Sequence, residues 1–132
     1  MKQISVIVEN KVGILSDISY IMGTAHINID SLYVGQVGDK SIVIMSVKDE
    51  KKTMDLLKAN SYEVFSSDVL LVKLKDEPGS LSEITKLLAD NKVNIESAHV
   101  VAKGGGYVID AIKVDRYAKA EKLLKPYLKI ED

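Results

Sequence analysis

An α+β fold made of two split βαββαβ units, side by side, is what this chain of 132 residues predicts. Three observations carry the prediction. The sequence is written twice at an offset of 66 (13 to 79). Gly13-Ile14-Leu15-Ser16 returns as Gly79-Ser80-Leu81-Ser82 and Asn28-Ile29 as Asn94-Ile95. Val6 matches Val72, Ile18 matches Ile84, Ser31 matches Ser97, Val34 matches Val100 and Gly38 matches Gly104. Roughly ten identities over about 35 positions mark an internal repeat, the pattern to look for first. Within each copy, period-two and helical periodicities alternate in one order. Between the copies only Ser66-Ser67-Asp68 is left as linker, so the expected domains are residues 1–66 and 67–132 as close neighbours.

Each element has its own warrant. Residues 3–8 alternate and are rich in β-branched side chains, as in a strand. Residues 9–13 form a loop, and Ile14, Leu15, Ile18, Ile21 and Met22 recur at helical spacing over 14–24. Alternation returns over 26–34, residues 35–40 supply a turn, and 41–47 complete a hairpin. Met54, Leu56 and Leu57 give a short amphipathic helix over 49–59, and 62–65 is the fourth strand. The second copy repeats the order. Strand 70–74 is followed by loop 75–79, helix 80–90, strand 93–102, turn 103–106, strand 107–114, helix 117–125 and strand 127–130. Right-handed crossovers then give an antiparallel sheet with both helices on one face, a ferredoxin-like unit. A unit of this size buries only about 60% of its unfolded surface, so each copy is expected to depend on a neighbour.

Composition narrows function by exclusion. Apolar residues are 46% and charged residues 28%, which fits a folded domain. A net charge of −1 gives no field for phosphates, and Arg116 is the only arginine, so bidentate recognition of phosphates or base edges has little to work with. The βαββαβ order also describes RNA-recognition modules, but these stack bases on aromatic residues of their central strands. The corresponding strands here carry only Tyr107 near by, and aromatics total 5%. No nucleic-acid partner is expected. The absence of cysteine removes disulfides, thiolate nucleophiles and Cys-based metal sites. His26 and His99 occupy non-equivalent places, which argues against a metal site, and no cofactor is implied. Neither a Ser-His-Asp spacing nor a paired-carboxylate geometry points to an enzyme. Met1-Lys2-Gln3-Ile4 lacks a signal-peptide pattern and no apolar run reaches the roughly 18 residues of a span, so the expected address is cytoplasmic, without a membrane partner.

The loop before each first helix holds the candidate chemistry. Gly13 and Gly79 permit the dihedrals of a sharp strand-to-helix turn. The helix start that follows has unpaired N–H groups and a partial positive charge, suited to a carboxylate. Asp76, or the amide oxygen of Asn10, can accept from an ammonium, and Asn28 and Asn94 can both donate and accept. Structural roles stand beside these. Ser80 with Glu83 is a capping-box pattern, the glycines serve the turn with or without a ligand, and the two Asn side chains can fix loop backbone. Leu15, Ile18, Leu81, Ile84 and Leu88 share helix faces and read as core, with Met22, Met45 and Met54 as filler. Gly35-Gln36-Val37-Gly38 and Gly104-Gly105-Gly106 read as hairpin tips. The lysine-rich end around Arg116 reads as a solvated face.

A βαββαβ unit whose first loop is Asp76-Glu77-Pro78-Gly79-Ser80-Leu81, followed by a helix and Val93-Asn94-Ile95-Glu96, resembles the ACT domain, twice over the chain. The resemblance implies a regulatory module that binds a free amino acid or similar small carboxylate where ACT units pair side by side. A homodimer and a separate metabolic enzyme or regulator are the implied partners. Its implied ligand contacts are Asn10, Lys11, Val12, Gly13, Ile14, Leu15, Asn28 and Ile29 in the first copy, with Asp76, Glu77, Pro78, Gly79, Ser80, Leu81, Asn94 and Ile95 in the second. Asn10, Lys11 and Val12 depart from Asp76, Glu77 and Pro78, so binding at both loops and binding at the second alone both fit. A ligand-free oligomerisation module is the alternative reading.

Overall fold

Residues 2–128 and 130 are described by the computed structural model, which divides into two units, 1–67 and 68–132. The first unit runs β1 (Lys2–Glu9), α1 (Ile14–Thr24), β2 (Ser31–Val37), β3 (Lys40–Val47), α2 (Glu50–Ala59) and β4 (Glu63–Phe65). Its sheet has the order β2-β3-β1-β4, antiparallel throughout, and Val6 pairs with Val43, Val43 with Val34 and Val6 with Val64. Alternate residues Ile4, Val6 and Val8 of β1 and Val43, Met45 and Val47 of β3 form one core with Ile18 and Met22 of α1 and Leu57 of α2. Both helices therefore cover the same face, as period two in the strands and 3.6 in the helices requires.

In the second unit the order is β5 (Leu70–Lys75), α3 (Ser80–Asp90), β6 (Ile95–Gly104), β7 (Tyr107–Val114), α4 (Tyr117–Leu123) and a 3₁₀ turn, Lys125–Tyr127. Its core joins Leu70, Val72 and Leu74 to Ile112 and Val114, under Ile84 and Leu88 of α3, Ala120 of α4 and Leu124 just after α4. The α+β class with helices on one sheet face is thus present in both units.

Several boundaries differ from the sequence expectation, each for a local reason. The second sheet has three strands, β5-β7-β6, among the described residues. Over 127–130, Lys129 lies outside the described residues. Tyr127 belongs to the 3₁₀ turn and donates to the carbonyl of Leu124 at 2.7 Å, and Leu128 donates to Lys125 at 3.2 Å. Pro126 accounts for this, because its ring disfavours helix at the preceding residue and it has no N–H for a ladder. The same proline ends α4 at Leu123 rather than 125. Strands expected from 26 and 93 begin at Ser31 and Ile95. His26 (φ 57) and Lys92 (φ 62) close their helices in the left-handed region, with Ile27 donating to Met22 at 3.0 Å and Val93 to Leu88 at 2.9 Å. The hairpins are tighter than expected. Gly38-Asp39 and Gly105-Gly106 are two-residue turns, with Gly105 at φ 64 and Gly106 at φ 85.

Caps set the second helix of the first unit. Asp49 precedes α2 and its Oδ1 accepts from the Lys52 N–H at 3.0 Å. Asp49→Ala is expected to cost about 0.5–2 kcal/mol in urea unfolding; an unchanged midpoint would show that the cap contributes nothing. One residue on, a Glu50 carboxylate oxygen accepts the Ser67 N–H at 2.8 Å and so holds the end of this unit. Burial alone raises the Glu50 pKa, but the Ser67 hydrogen bonds and the charge of Lys2 outweigh it and leave the carboxyl below its ordinary value.

Candidate ligand site at the loops and strand starts

The two loops have the same backbone. Gly13 (φ 90, ψ −5) and Gly79 (φ 91, ψ −14) stand at the N-cap positions of α1 and α3, and neither helix start carries a side-chain cap. This overturns the capping-box reading of Ser80 with Glu83. The turn places glycine at the cap and pushes Ser80 to the first helical position, where its N–H reaches the Glu77 carbonyl at 3.3 Å. Ile14 and Asp17 donate to Lys11 at 3.4 Å and Gly13 at 2.9 Å, and Glu83 donates to Gly79 at 3.1 Å. The N–H groups of Leu15, Ser16, Leu81 and Ser82 are left without a partner among the described residues. Two free donors at each helix start, with the positive end of the helix dipole behind them, are chemistry for a carboxylate.

The flanking side chains differ between the copies. Asn10 donates its backbone N–H to the Asp39 carbonyl at 2.9 Å, and its Oδ1 accepts from the Ser41 hydroxyl at 3.1 Å. Asp76 donates its backbone N–H to the Gly106 carbonyl at 2.9 Å, and its carboxylate lies 3.5 Å from the Lys103 ammonium at the end of β6. Lys11, Val12, Glu77 and Pro78 are exposed at the loop tips, Ile14 and Ser80 are half-buried, and Leu15 packs on the first core. Leu81, expected in the core, is 48% exposed on the first turn of α3, while Ile18, Ile84 and Leu88 are fully buried.

Asn28 and Asn94 are exposed, and their side-chain amides have no hydrogen-bond partner among the described residues, so they do not brace the loop backbone. The Asn94 backbone is held instead, donating to Asp115 Oδ1 at 2.9 Å and accepting from the Asp115 N–H at 3.1 Å. Ile29 and Ile95 pack partly buried on their cores. Loop and asparagine stand at opposite ends of one strand. Asp76 pairs with Lys103 near the close of β6, Ile95–Gly104, and Asn94 precedes its start. At about 3.3 Å per residue the separation is on the order of 30 Å, more than an amino acid spans.

Two features of the second unit were not expected from the sequence. The Lys73 ammonium sits 4.6 Å from the centre of the Tyr107 ring, a cation–π contact at the edge of a shallow cleft of about 360 Å³ beside the loop. Asp110 of β7 is 6% exposed on the helix-covered face, between Val72 and Val100. Burial raises its pKa, opposed by the charge of His99. Strand register, not the sequence offset, identifies its counterpart: Val43 holds the matching place in the first copy, paired with Val6 and Val34.

Among the described residues no group of three or more His, Asp or Glu is placed to hold a metal ion, and no helix is long and apolar enough to cross a membrane.

Comparison with known proteins agrees with the repeat. Residues 4–61 match the family model for the AHAS small subunit-like ACT domain, and residues 69–131 match that for the ACT domain. Among solved structures, a protein of Bacteroides thetaiotaomicron is 27% identical, over 95% of this chain and 86% of that one, with a TM-score of 0.49. The regulatory subunit of aspartate kinase from Thermus thermophilus is 17% identical over 95% and 91%, with a TM-score of 0.45. The acetolactate synthase small subunit from Thermotoga maritima is 19% identical over 95% and 84%, with a TM-score of 0.44. With both copies matched by models of one family, the chain belongs to the ACT domain family and carries two such domains in tandem.

Proposed function

We propose that this protein is a non-enzymatic regulatory module that binds a free amino acid. The ligand lies where the loop of one ACT unit meets the asparagine-bearing strand start of a second unit. The observation that carries the reading is the pair of unpartnered N–H groups at each uncapped helix start. They take the α-carboxylate, Asp76 accepts from the α-ammonium, and the free amide of Asn94 completes the set from the second unit. The roughly 30 Å between loop and asparagine along one strand supports a ligand shared by two units. Binding at such a junction favours one packing over another, which is how an effector acts on assembly or on a separate enzyme. The first copy's family model, named for a small-subunit-like domain, supports action through a partner.

The test is a thermal-shift screen against the twenty amino acids, followed by calorimetry on wild type, Asp76→Ala and Asn94→Ala. One selective ligand is expected, adding about 2.7 kcal/mol at 100 times its dissociation constant, with weaker binding in both variants. Unchanged affinity in both would refute the placement. A ligand-free oligomerisation module is favoured by one specific observation: β2 and β6 are edge strands of their sheets, with Leu32, Val34 and Val100 exposed on the helix side. A dimer in light scattering that no amino acid alters would select that reading.

A further inference from the structure

Buried carboxylates are rare unless paired, and Asp110 is an exception in need of a reason. At 6% exposure it accepts no hydrogen bond and forms no ion pair among the described residues. Its surroundings are lopsided. Toward β5 its cross-strand neighbour is Val72, fully buried in the core with Ile84 of α3. Toward β6 the neighbour on the same face is Val100, which is 56% exposed. Directly opposed residues on one sheet face hold their Cβ atoms about 5 Å apart. The carboxylate is therefore closed off on one side and stands one side chain from solvent on the other. No fully sealed side-chain oxygen lacks a partner among the described residues, so the unpartnered oxygens of Asp110 keep contact with solvent.

The repeat supplies the internal control. Val43 occupies the same register in the first unit, between Val6 and Val34, and is fully buried in an apolar core. The fold thus accepts valine at this place, and the carboxylate is a departure that costs stability unless something pairs with it.

We propose that Asp110 makes the second unit selective for an effector with a cationic side chain, whose ammonium or guanidinium end enters over Val100 and pairs with this carboxylate. The inference rests on the amino-acid-binding reading above and names the ligand class. It also separates the two copies, because the first, with Val43, has no counterpart for that charge. The pairing gives a charge-assisted hydrogen bond to a largely buried carboxylate that has none and has only the charge of His99 acting on it, so the cation is worth more here than at a fully exposed aspartate. Burial raises the Asp110 pKa, and an arriving cation, like His99, opposes that shift.

The experiment is calorimetry on the full chain with two matched pairs, L-lysine against L-norleucine and L-arginine against L-citrulline, on wild type, Asp110→Asn and Asp110→Val. In wild type at least one cationic member is expected to bind tenfold or more tighter than its neutral partner. Asp110→Asn, which keeps the shape, is expected to erase that preference. Asp110→Val is expected to erase it too while raising the melting temperature. Equal binding within both pairs on wild type, or a preference that survives in Asp110→Asn, overturns the proposal. If the cationic preference is absent while amino acids still bind and Asp76→Ala or Asn94→Ala weakens them, the ligand-class assignment falls alone. If no amino acid binds, it falls together with the reading beneath it.

Discussion

Replacing Ile84 by alanine is expected to lower the stability of the second unit by about 2–5 kcal/mol, and Ile18→Ala to do the same in the first. Both side chains are fully buried at matching places in the two cores. The change removes three carbons, worth about 0.8 kcal/mol each in transfer, and leaves a cavity that the packed sheet and second helix refill only in part. A unit of this size has a net stability of a few kcal/mol, so the loss is a large fraction of it. Leu81→Ala, three residues earlier on the same helix, is the contrast: at 48% exposure it is expected to cost under about 1 kcal/mol. Amide exchange on β5 and β7 reads the effect in the unit that carries the change. Equal costs for Ile84→Ala and Leu81→Ala would show that the core has been drawn in the wrong place.

Leu81 also shows where sequence periodicity stops being informative. Helical spacing assigns a residue to a face but does not say how far the opposing sheet extends beneath it. Leu81 lies on the first turn, where cover is thin, and it is exposed although Ile84 and Leu88 are not. The βαββαβ order, the shared helix face and both loops were legible because each rests on a period or on a glycine repeated at the same offset. The strand starts were misplaced because His26 and Lys92 take the left-handed conformation that glycine usually marks. Of the strand expected over 127–130, Lys129 lies outside the described residues, and Tyr127 stands in a 3₁₀ turn for which Pro126 was the local signal. Asp110 was hidden for a different reason. One charge inside an apolar run reads as an outward position until pairing with Val72 fixes its face. At the candidate site the types of group were legible, but the distance between loop and asparagine along β6 needed the fold.

A substitution ladder at Gly79 should give the second large effect, with stability falling in the order Gly, Asn, Ala, Val. A Cβ at Gly79 would meet nothing within 4 Å, so any cost comes from the backbone at φ 91 and not from a clash. Non-glycine residues with left-handed dihedrals cost about 1–2 kcal/mol. Asparagine tolerates the region better than alanine, and β-branched valine fits it worst. Gly13 has φ 90 and equally open surroundings, so its ladder should follow the same order with similar steps. Urea midpoints for both series test this, and a ladder that followed side-chain size instead of dihedral preference would refute it. The two glycines share the fold role, but only a loop that contacts ligand gives a second ladder in affinity. Tilting the helix start misdirects the free N–H groups of Leu81 and Ser82, or of Leu15 and Ser16, that receive the carboxylate. Parallel affinity loss in both series places ligand at both loops. Loss in the Gly79 series alone assigns binding to the loop with Asp76 and leaves the first, with Asn10 tied to Ser41, as scaffold.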